Sequence, residues 1–557
     1  MIRLSLLALY VSGFAAYAFR DWYKSLCALI LLMAVVEHPD MPKTILGIQG
    51  LNPWNLLLLA VVAAWALNRG QENLKWDLPP HISALLLLYL AIVLVGFARM
   101  ITDRAYLEDS PLSLTSEYLI NTVKWVIPGL LLYDGCRTRE RFRLGMLCVL
   151  GVYLLLGIQV IKWMPLGAAV SGDSLSERSL KILVNEVGFH RVNISAMLAG
   201  ATWAVFAARI LGDTARERAW ILGGSALLLF AQALTAGRAG YATSAAVGLV
   251  VCAIKWPRYL LAAPVMAAAI VILAPGVVER MFEGFTPDTH AVPTRVRNII
   301  GDNEGADAYT ITAGRNLIWP FVIDKIGDQP WLGYGRLAMV RTGLASFLAT
   351  ELDEGFSHPH NAYFELLFDN GVVGAIPVLA FFALVLWYSF RLFLDKDNPT
   401  CVGVGGATFA FVLALLIAAM GSQSFYPREG WLGMWCLIFL MFRVRVQRGL
   451  PQGHDATSTP SPEARSALHA RRIAPAAPRP IVIAMPGTPT RHRPPSPAEP
   501  QPFDDSQLWN ITPAPAPIRL VRTIGEKMPP PAVTPPAAQP SRPSVRTITK
   551  RSNVRGG

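Results

Sequence analysis

Charge is scarce in this chain of 557 residues. Only 16% are Asp, Glu, Lys or Arg, against about 25% in an average soluble domain. Cysteine is scarce too. There are six, with no Cys-x-x-Cys pair, which argues against a disulfide scaffold and a structural zinc site. Low charge, 53% hydrophobic residues and a mean hydropathy of +0.39 together exclude a cytosolic enzyme. The net charge of +12 suggests nucleic acid only until it is located. Residues 451–557 hold 14 Lys and Arg against 6 Asp and Glu, so +8 of the +12 sits there. About +4 is left for 450 residues, too little for a nucleic-acid-binding surface.

What the chain has in quantity is apolar runs, long enough to cross a hydrocarbon core of about 30 Å. Thirteen candidates fall at roughly 3–18, 25–37, 51–67, 81–98, 118–134, 144–162, 192–210, 219–236, 239–254, 259–276, 371–391, 402–423 and 430–443. The predicted class is all-α: a polytopic membrane protein of about 12–13 transmembrane helices with one large outward loop. The first run, behind Arg3, reads as a span that stays, since no small-residue cleavage site leads into a soluble domain. Six short loops are basic: Arg20/Lys24, Arg69/Lys75, Arg137 to Arg143, Arg209 to Arg218, Lys255/Arg258 and Arg391/Lys396. The positive-inside rule makes them cytoplasmic and turns the alternate loops outward, including residues 277–370. Thirteen spans put the N-terminus outside; twelve put both ends inside. No cysteine falls in an outward loop, where disulfides would form.

Residues 446–557 read as a separate tail. The stretch 451–557 holds 23 of the 42 prolines and no periodic apolar pattern. Such a composition buries too little apolar surface to offset its ordering entropy, so the expectation is a disordered, basic, cytoplasmic segment. Val-Arg-Thr-Ile recurs at 521–524 and 545–548. It reads either as chance in a biased sequence or as a docking motif for a cytoplasmic partner.

The outward loop carries the chemistry. Arg315 and Trp319 fall four apart and share a helical face. Gln329-Pro-Trp-Leu-Gly-Tyr334-Gly335 reads as a Pro/Gly turn closed by an aromatic. His358-Pro-His360-Asn361-x-x-x-Glu365 leads to Gly371-Val-Val-Gly374 at the start of a span. The His-x-His pair reads as a metal pair, as general-base chemistry or as two surface histidines. No third histidine follows at ligand spacing, and the acids Asp302, Glu304, Asp307, Asp353 and Glu354 lack a calcium-loop pattern. The prediction is therefore no metal. Pro359 favours an extended His358, with His360 at or just before a helix start. Arg238, in Thr235-Ala-Gly-Arg-Ala-Gly240 between two spans, reads either as a snorkelling anchor or, with Arg315, as a fork for a diphosphate. Arg191, with His190 and Asn193 at the head of another span, has the same two readings. Phe356, Tyr363, Trp331 and Tyr334 read as packing or as stacking surfaces for sugar rings.

Taken in this order and spacing, the motifs of residues 230–390 resemble the bacterial O-antigen ligase and O-antigen polymerase superfamily. The resemblance implies a multi-span inner-membrane glycosyltransferase of the GT-C type with its active site facing the periplasm. Its donor would be a glycan on an undecaprenyl-diphosphate carrier. Its acceptor would be another glycan, the lipid A core or a protein hydroxyl. It implies no metal, no other cofactor and no nucleotide sugar. The family's two essential arginines and essential histidine fall on Arg238, Arg315 and His360. Arg191, His358, Asn361, Glu365, Trp319 and Tyr334 are the accompanying substrate-binding candidates. The domains then read as 1–230, N-terminal transmembrane helices; 231–445, a ligase-like core with loop 277–370; and 446–557, the tail. A polymerase of lipid-linked repeats needs the same carrier site and stays as an alternative. A lipid-linked sugar transporter fits less well: no inverted repeat is visible and the polar residues concentrate in one outer loop.

Overall fold

A computed structural model of the chain describes residues 2–449 apart from 46–47, 73, 166, 168–174, 274, 283–311, 313, 352–354 and 422. The predicted tail with its repeat, and the acids Asp302, Glu304, Asp307, Asp353 and Glu354, lie outside the described residues.

Among the described residues each of the thirteen apolar runs overlaps helix. In chain order these are α1 (Ile2–Ala18), α2 (Trp22–Leu32), α3 (Pro53–Asn68) and α4 (Pro80–Thr102). A broken run follows from Pro111 and ends in α5 (Ile127–Gly135). Next come α6 (Arg139–Trp163), α7 (Arg191–Ala208), α8 (Ala215–Ala233) and α9 (Arg238–Lys255). Then come α10 (Ala263–Leu273), α11 (Pro275–Phe282) and the loop helix α12 (Arg315–Asp328). The last are α13 (Ala362–Phe393), α14 (Pro399–Ala418) and α15 (Leu432–Gly449). The starts follow local chemistry. Asn52 and Asn398 cap helices whose first residue is proline, and Thr214 with Glu217 forms a capping box. Among the described residues the one ribbon is a two-residue hairpin pairing Thr44 with Gln49.

The all-α polytopic class is as expected. The number of helices that qualify as spans by length and composition is smaller than the expected 12–13. Among the described residues five qualify: α4, α6, Arg191–Leu211, α13 and α14. A sixth follows if Pro257–Ile272 and α11, set at 102°, form one broken span. The helices α1 to α3 are apolar but shorter, and α8 carries Arg216, Glu217 and Arg218 in its first turn. The run from Pro111 to Gly135 is interrupted by a π-turn at Ser116–Ile120.

Ion pairs tie together the loops that the charge pattern groups. Arg141 pairs with Glu72 and Arg69 with Asp134, while Arg139 and Arg143 meet Asp213. Asp77 takes Arg443 through both carboxylate oxygens at 2.8 Å and Arg137 at 2.9 Å. Asp395 joins Arg448 and, through its carbonyl, Lys255. Arg443, Asp134 and Asp395 are buried, and removing the partner of any one of them leaves a charge without compensation, so these pairs fix how the helix ends meet. This end adjoins the start of α4. The other end of α4, about 34 Å along its axis, meets the loop that precedes α13, where Arg99 Nη2 donates to Gly333 O at 2.7 Å. Arg3, at the start of α1, pairs with Asp40 at 3.0 Å.

The interior is built from small residues and rings. The helix α7 lies buried among α8, α9 and α14, with Gly200 against Phe411. Where α4, α13 and α15 meet, Phe381 stacks on Tyr89 and on Trp435, and Phe382 meets Tyr89 edge-on. Leu87, Leu88, Leu94 and Val95 of α4 stay exposed, as an apolar solvent requires.

Candidate functional site

The site is built around the turn between α8 and α9. Thr235 Oγ1 donates to Gln232 O at 2.6 Å, and Ala236 takes the left-handed conformation at φ 55°. Ser195 Oγ, from α7, donates to Gly237 O at 3.2 Å. Gly240 is required here by close approach: a Cβ on it would lie 2.0 Å from Ser195 Oγ. The Thr-Ala-Gly-Arg-Ala-Gly run thus presses the start of α9 onto the start of α7. A Cβ on Gly237 would sit 3.3 Å from Arg191 O. Arg238 and Arg191 are close enough to repel each other.

Arg315 enters from the loop that precedes α13. Gly314, at φ 78°, turns the chain, and Arg315 is the first residue of α12. Its Nη1 lies 3.8 Å from where a Cβ on Gly421 would sit, a point itself 3.5 Å from the Ala239 side chain. The guanidinium therefore lies over the end of α14, beside the residue that follows Arg238. Burial, and then Arg238, push it below the ordinary arginine value. The helix α12 also brings Trp319 onto the same face, as the spacing predicts. The Trp319 indole donates to Pro359 O at 3.1 Å and meets Phe364 edge-on, so it braces the His-Pro-His segment.

The histidines stand at the head of α13. Ala362 N donates to Ala419 O at 2.8 Å, pinning this helix start to the end of α14. Asn361 is the N-cap, its Oδ1 accepting from Tyr363 N at 3.0 Å and Phe364 N at 3.4 Å. That bonding engages the oxygen that was a candidate for substrate. His360 precedes it in the left-handed region at φ 53°, a conformation uncommon for a residue with a Cβ. Its ring lies 3.9 Å from the His358 ring and meets Phe356 edge-on. Burial pushes the His360 imidazole down to about 3, helped by His358, Arg315 and His190. Burial also lowers His358, with Glu365 acting in the opposite direction. Glu365 is thus a neighbour of His358. Among the described residues no group of three His, Cys, Asp or Glu could hold a metal ion.

The two remaining motifs meet each other. The helix α13 breaks at Gly371, φ 61° and ψ −171°, and the loop 330–335 fills the break. Val372 N and Val373 N donate to Pro330 O and Trp331 O at 2.8 and 3.1 Å. In return Tyr334 N and Gly335 N donate to Phe368 O and Asp369 O at 2.8 and 2.6 Å. Beneath them Asp369 accepts from Tyr426 Oη at 2.9 Å and Ala338 N at 3.1 Å. Arg336 stacks over the Tyr426 ring at 3.4 Å.

His360, Arg315, Arg238 and Arg191 are linked, each to the next, by electrostatic contact, and His190 and His358 adjoin them. Tyr334 is not among them. It lines a cleft of about 280 Å³ with Asp103, Lys325, Arg341 and Thr342, and its charged neighbours are Asp328 and Lys325. The sequence reading missed Arg280. Its Nε donates to Ala236 O at 3.2 Å, and it adjoins Arg191 and Arg238. No motif surrounds it; the available signal was a cation just after a span.

Residues 223–379 match a family model described as O-antigen ligase. A curated protein of Pseudomonas aeruginosa named O-antigen ligase is 26% identical over 131 residues, 24% of this chain. The chain spans about 30% of the length of that relative. The matched segment contains Arg238, Arg280, Arg315 and both histidines, while Arg191 lies before it. Together with the apolar helices, the family match and this relative support the O-antigen ligase superfamily and a multi-pass membrane protein.

Proposed function

We propose that this protein transfers a glycan from an undecaprenyl-diphosphate carrier to an acceptor hydroxyl at the periplasmic face of the inner membrane. One observation carries the reading: a neutral imidazole, His360, stands beside a group of guanidiniums at the end of the helix bundle away from the basic loops. A diphosphate ester leaves as an anion and needs its growing charge balanced as the glycosidic bond breaks. Arg315 and Arg238 supply that charge, and their planar forks match phosphate oxygens. A sugar or protein hydroxyl is too weakly acidic to attack freely. His360 accepts its proton as the acceptor oxygen bonds to the anomeric carbon. The bond from that carbon to phosphate oxygen breaks, and the diphosphate stays on the carrier. The periplasmic assignment rests on the positive-inside rule applied to the basic loops.

Arg315→Lys keeps a charge but loses the bidentate fork. Its transfer rate in a reconstituted assay with lipid-linked glycan is expected to fall about 10- to 100-fold. A wild-type rate would remove diphosphate clamping from Arg315. The direct test of the function is mass spectrometry of carrier-linked glycans from a deletion strain. Accumulated long chains are the expected result; accumulated single repeats would replace the ligase reading with a polymerase.

A further inference from the structure

The polar groups around His358 extend beyond the arginine site and close a ring. His358 has Glu365 and Arg428 as electrostatic neighbours. Glu365 and Arg336 both adjoin Asp369. Arg336 and Arg428 both adjoin Tyr118. Separate parts of the chain supply these groups. Glu365 and Asp369 stand four apart on α13 and share a face. Arg336 follows the loop that fills the break in that helix, and its backbone N donates to Gly96 O of α4 at 3.0 Å. Arg428 comes from the connection between α14 and α15, where it lines a recess with Asn193, Gln423 and Trp431. Tyr118 lies in the π-turn Ser116–Ile120.

The members of the ring differ in what the fold asks of them. Asp369 is engaged, by Tyr426 Oη and Ala338 N. Among the described residues the side chains of Glu365, Arg428 and Tyr118 make no hydrogen bond and no ion pair. Arg336 Nε and Nη1 are buried with no hydrogen-bond partner, which is costly for a charged donor. Stacking on Tyr426 uses the face of that guanidinium and leaves its N–H edges over. Glu365, Arg336, Arg428 and Tyr118 are each half-buried, so a ligand can reach them. Charge decides the ligand class. Arg336 and Arg428 stand against Glu365 and Asp369, so the ring is balanced in formal charge and gives an anion no advantage. A sugar is uncharged, and each of its hydroxyls both donates and accepts. The spare guanidinium donors and the spare carboxylate satisfy such a ligand together. Tyr118 adds an aromatic face with a polar tip.

We propose that Glu365, Arg336, Arg428 and Tyr118 hold an uncharged sugar ring of the acceptor beside His358, with Glu365 accepting from its hydroxyls and the two guanidiniums donating to them. Arg315 adjoins the same histidine, so donor and acceptor meet at the histidines. The inference rests on the glycan-transfer reading and names the groups that bind its acceptor.

The test titrates the purified full-length protein in nanodiscs with methyl glucoside, methyl galactoside and methyl mannoside by saturation-transfer NMR, and with farnesyl diphosphate by calorimetry. The wild-type protein is expected to bind at least one of the hexosides. Arg428→Gln and Glu365→Gln are each expected to raise that Kd about 10- to 100-fold, the usual effect of losing a charged hydrogen bond. Farnesyl diphosphate is expected to bind both variants as it binds the wild type. Absence of hexoside binding by the wild-type protein, or wild-type hexoside affinity in both variants, would overturn the proposal. A parallel loss of farnesyl diphosphate would overturn it too, because the ring would then act through the donor site or the packing. Methyl glucuronide or a serine-containing peptide bound more tightly than any hexoside, and lost in the same variants, would replace the sugar with an anion or a protein acceptor. Failure of the wild-type protein to bind farnesyl diphosphate, with hexoside binding intact, would sink the diphosphate reading while the sugar site stands. Should Arg428→Gln fail to fold, Arg428→Lys decides the matter. It keeps the charge without the fork, and an unchanged hexoside Kd would exclude Arg428 from the site.

Discussion

Replacing His360 with alanine is expected to lower glycan transfer about a hundred- to ten-thousandfold while the donor still binds, the usual range for a general base. The imidazole is held at about 3 by burial, His358, Arg315 and His190. The base form of histidine is the one present above its pKa, so His360 is neutral throughout the physiological range. A base so far below neutral pH is a weak one. On the proposed function the donor would correct this. A diphosphate bound beside Arg315 would offset the guanidinium charge that lowers the imidazole, and so would raise its affinity for a proton. Two pH profiles follow. In the free protein, kcat/KM is expected to stay level from about pH 8 to about pH 5, because its acid limb lies near the value set by the empty site. The acid limb of kcat, which reports the donor complex, is expected at higher pH. Rates of His360→Ala within a few-fold of wild type, or acid limbs that coincide, would exclude His360 as the base.

Gly371→Ala is expected to abolish transfer by a different route. Gly371 at φ 61° and ψ −171° lies in a region that is essentially glycine's alone. A Cβ there would stand 2.3 Å from the backbone of Trp331, so rotating a side chain cannot relieve the contact. The loop 330–335 would have to leave the break in α13. Val372 N, Val373 N, Phe368 O and Asp369 O would then lose their partners in an apolar setting. A destabilisation of about 3 kcal/mol or more follows from strain and orphaned backbone groups together. It should appear as a lower unfolding temperature in detergent. Val373→Ala, at a half-exposed position two residues on, provides the comparison and should behave as wild type. Normal stability and transfer in Gly371→Ala would show that the loop docks without the break.

Several parts of the site were legible because their causes are local. A four-residue spacing is enough to align Arg315 with Trp319, since the helical period is fixed by backbone geometry. Pro359 and Asn361 are enough to start a helix just after His360. The same Asn361 was read as a ligand for substrate, yet its oxygen is engaged by two backbone N–H groups, a use that capping preferences already favour. Trp319 was read as a substrate-binding candidate, and its indole braces Pro359. Tyr334 was grouped with the arginines by motif and stands at a different cleft. Both are aromatic side chains whose partners are distant in sequence. Hydropathy registers apolar runs but not where they break: among the described residues five helices are long and apolar enough to cross a membrane, and a π-turn interrupts the run from Pro111 to Gly135.

The sequence by itself determined that the chain is helical and membrane-embedded, that its basic loops alternate, and that a segment resembling O-antigen ligases lies between late spans. These follow from quantities summed over neighbouring residues: hydropathy, charge and period. Only the tertiary structure decided that the Gln-Pro-Trp-Leu-Gly-Tyr-Gly loop fills the break at Gly371, and that Arg280 joins Arg191 and Arg238 at one turn. Both depend on hydrogen bonds and close approaches between residues tens of positions apart. Such contacts are fixed by how the helices pack, and no local pattern encodes them.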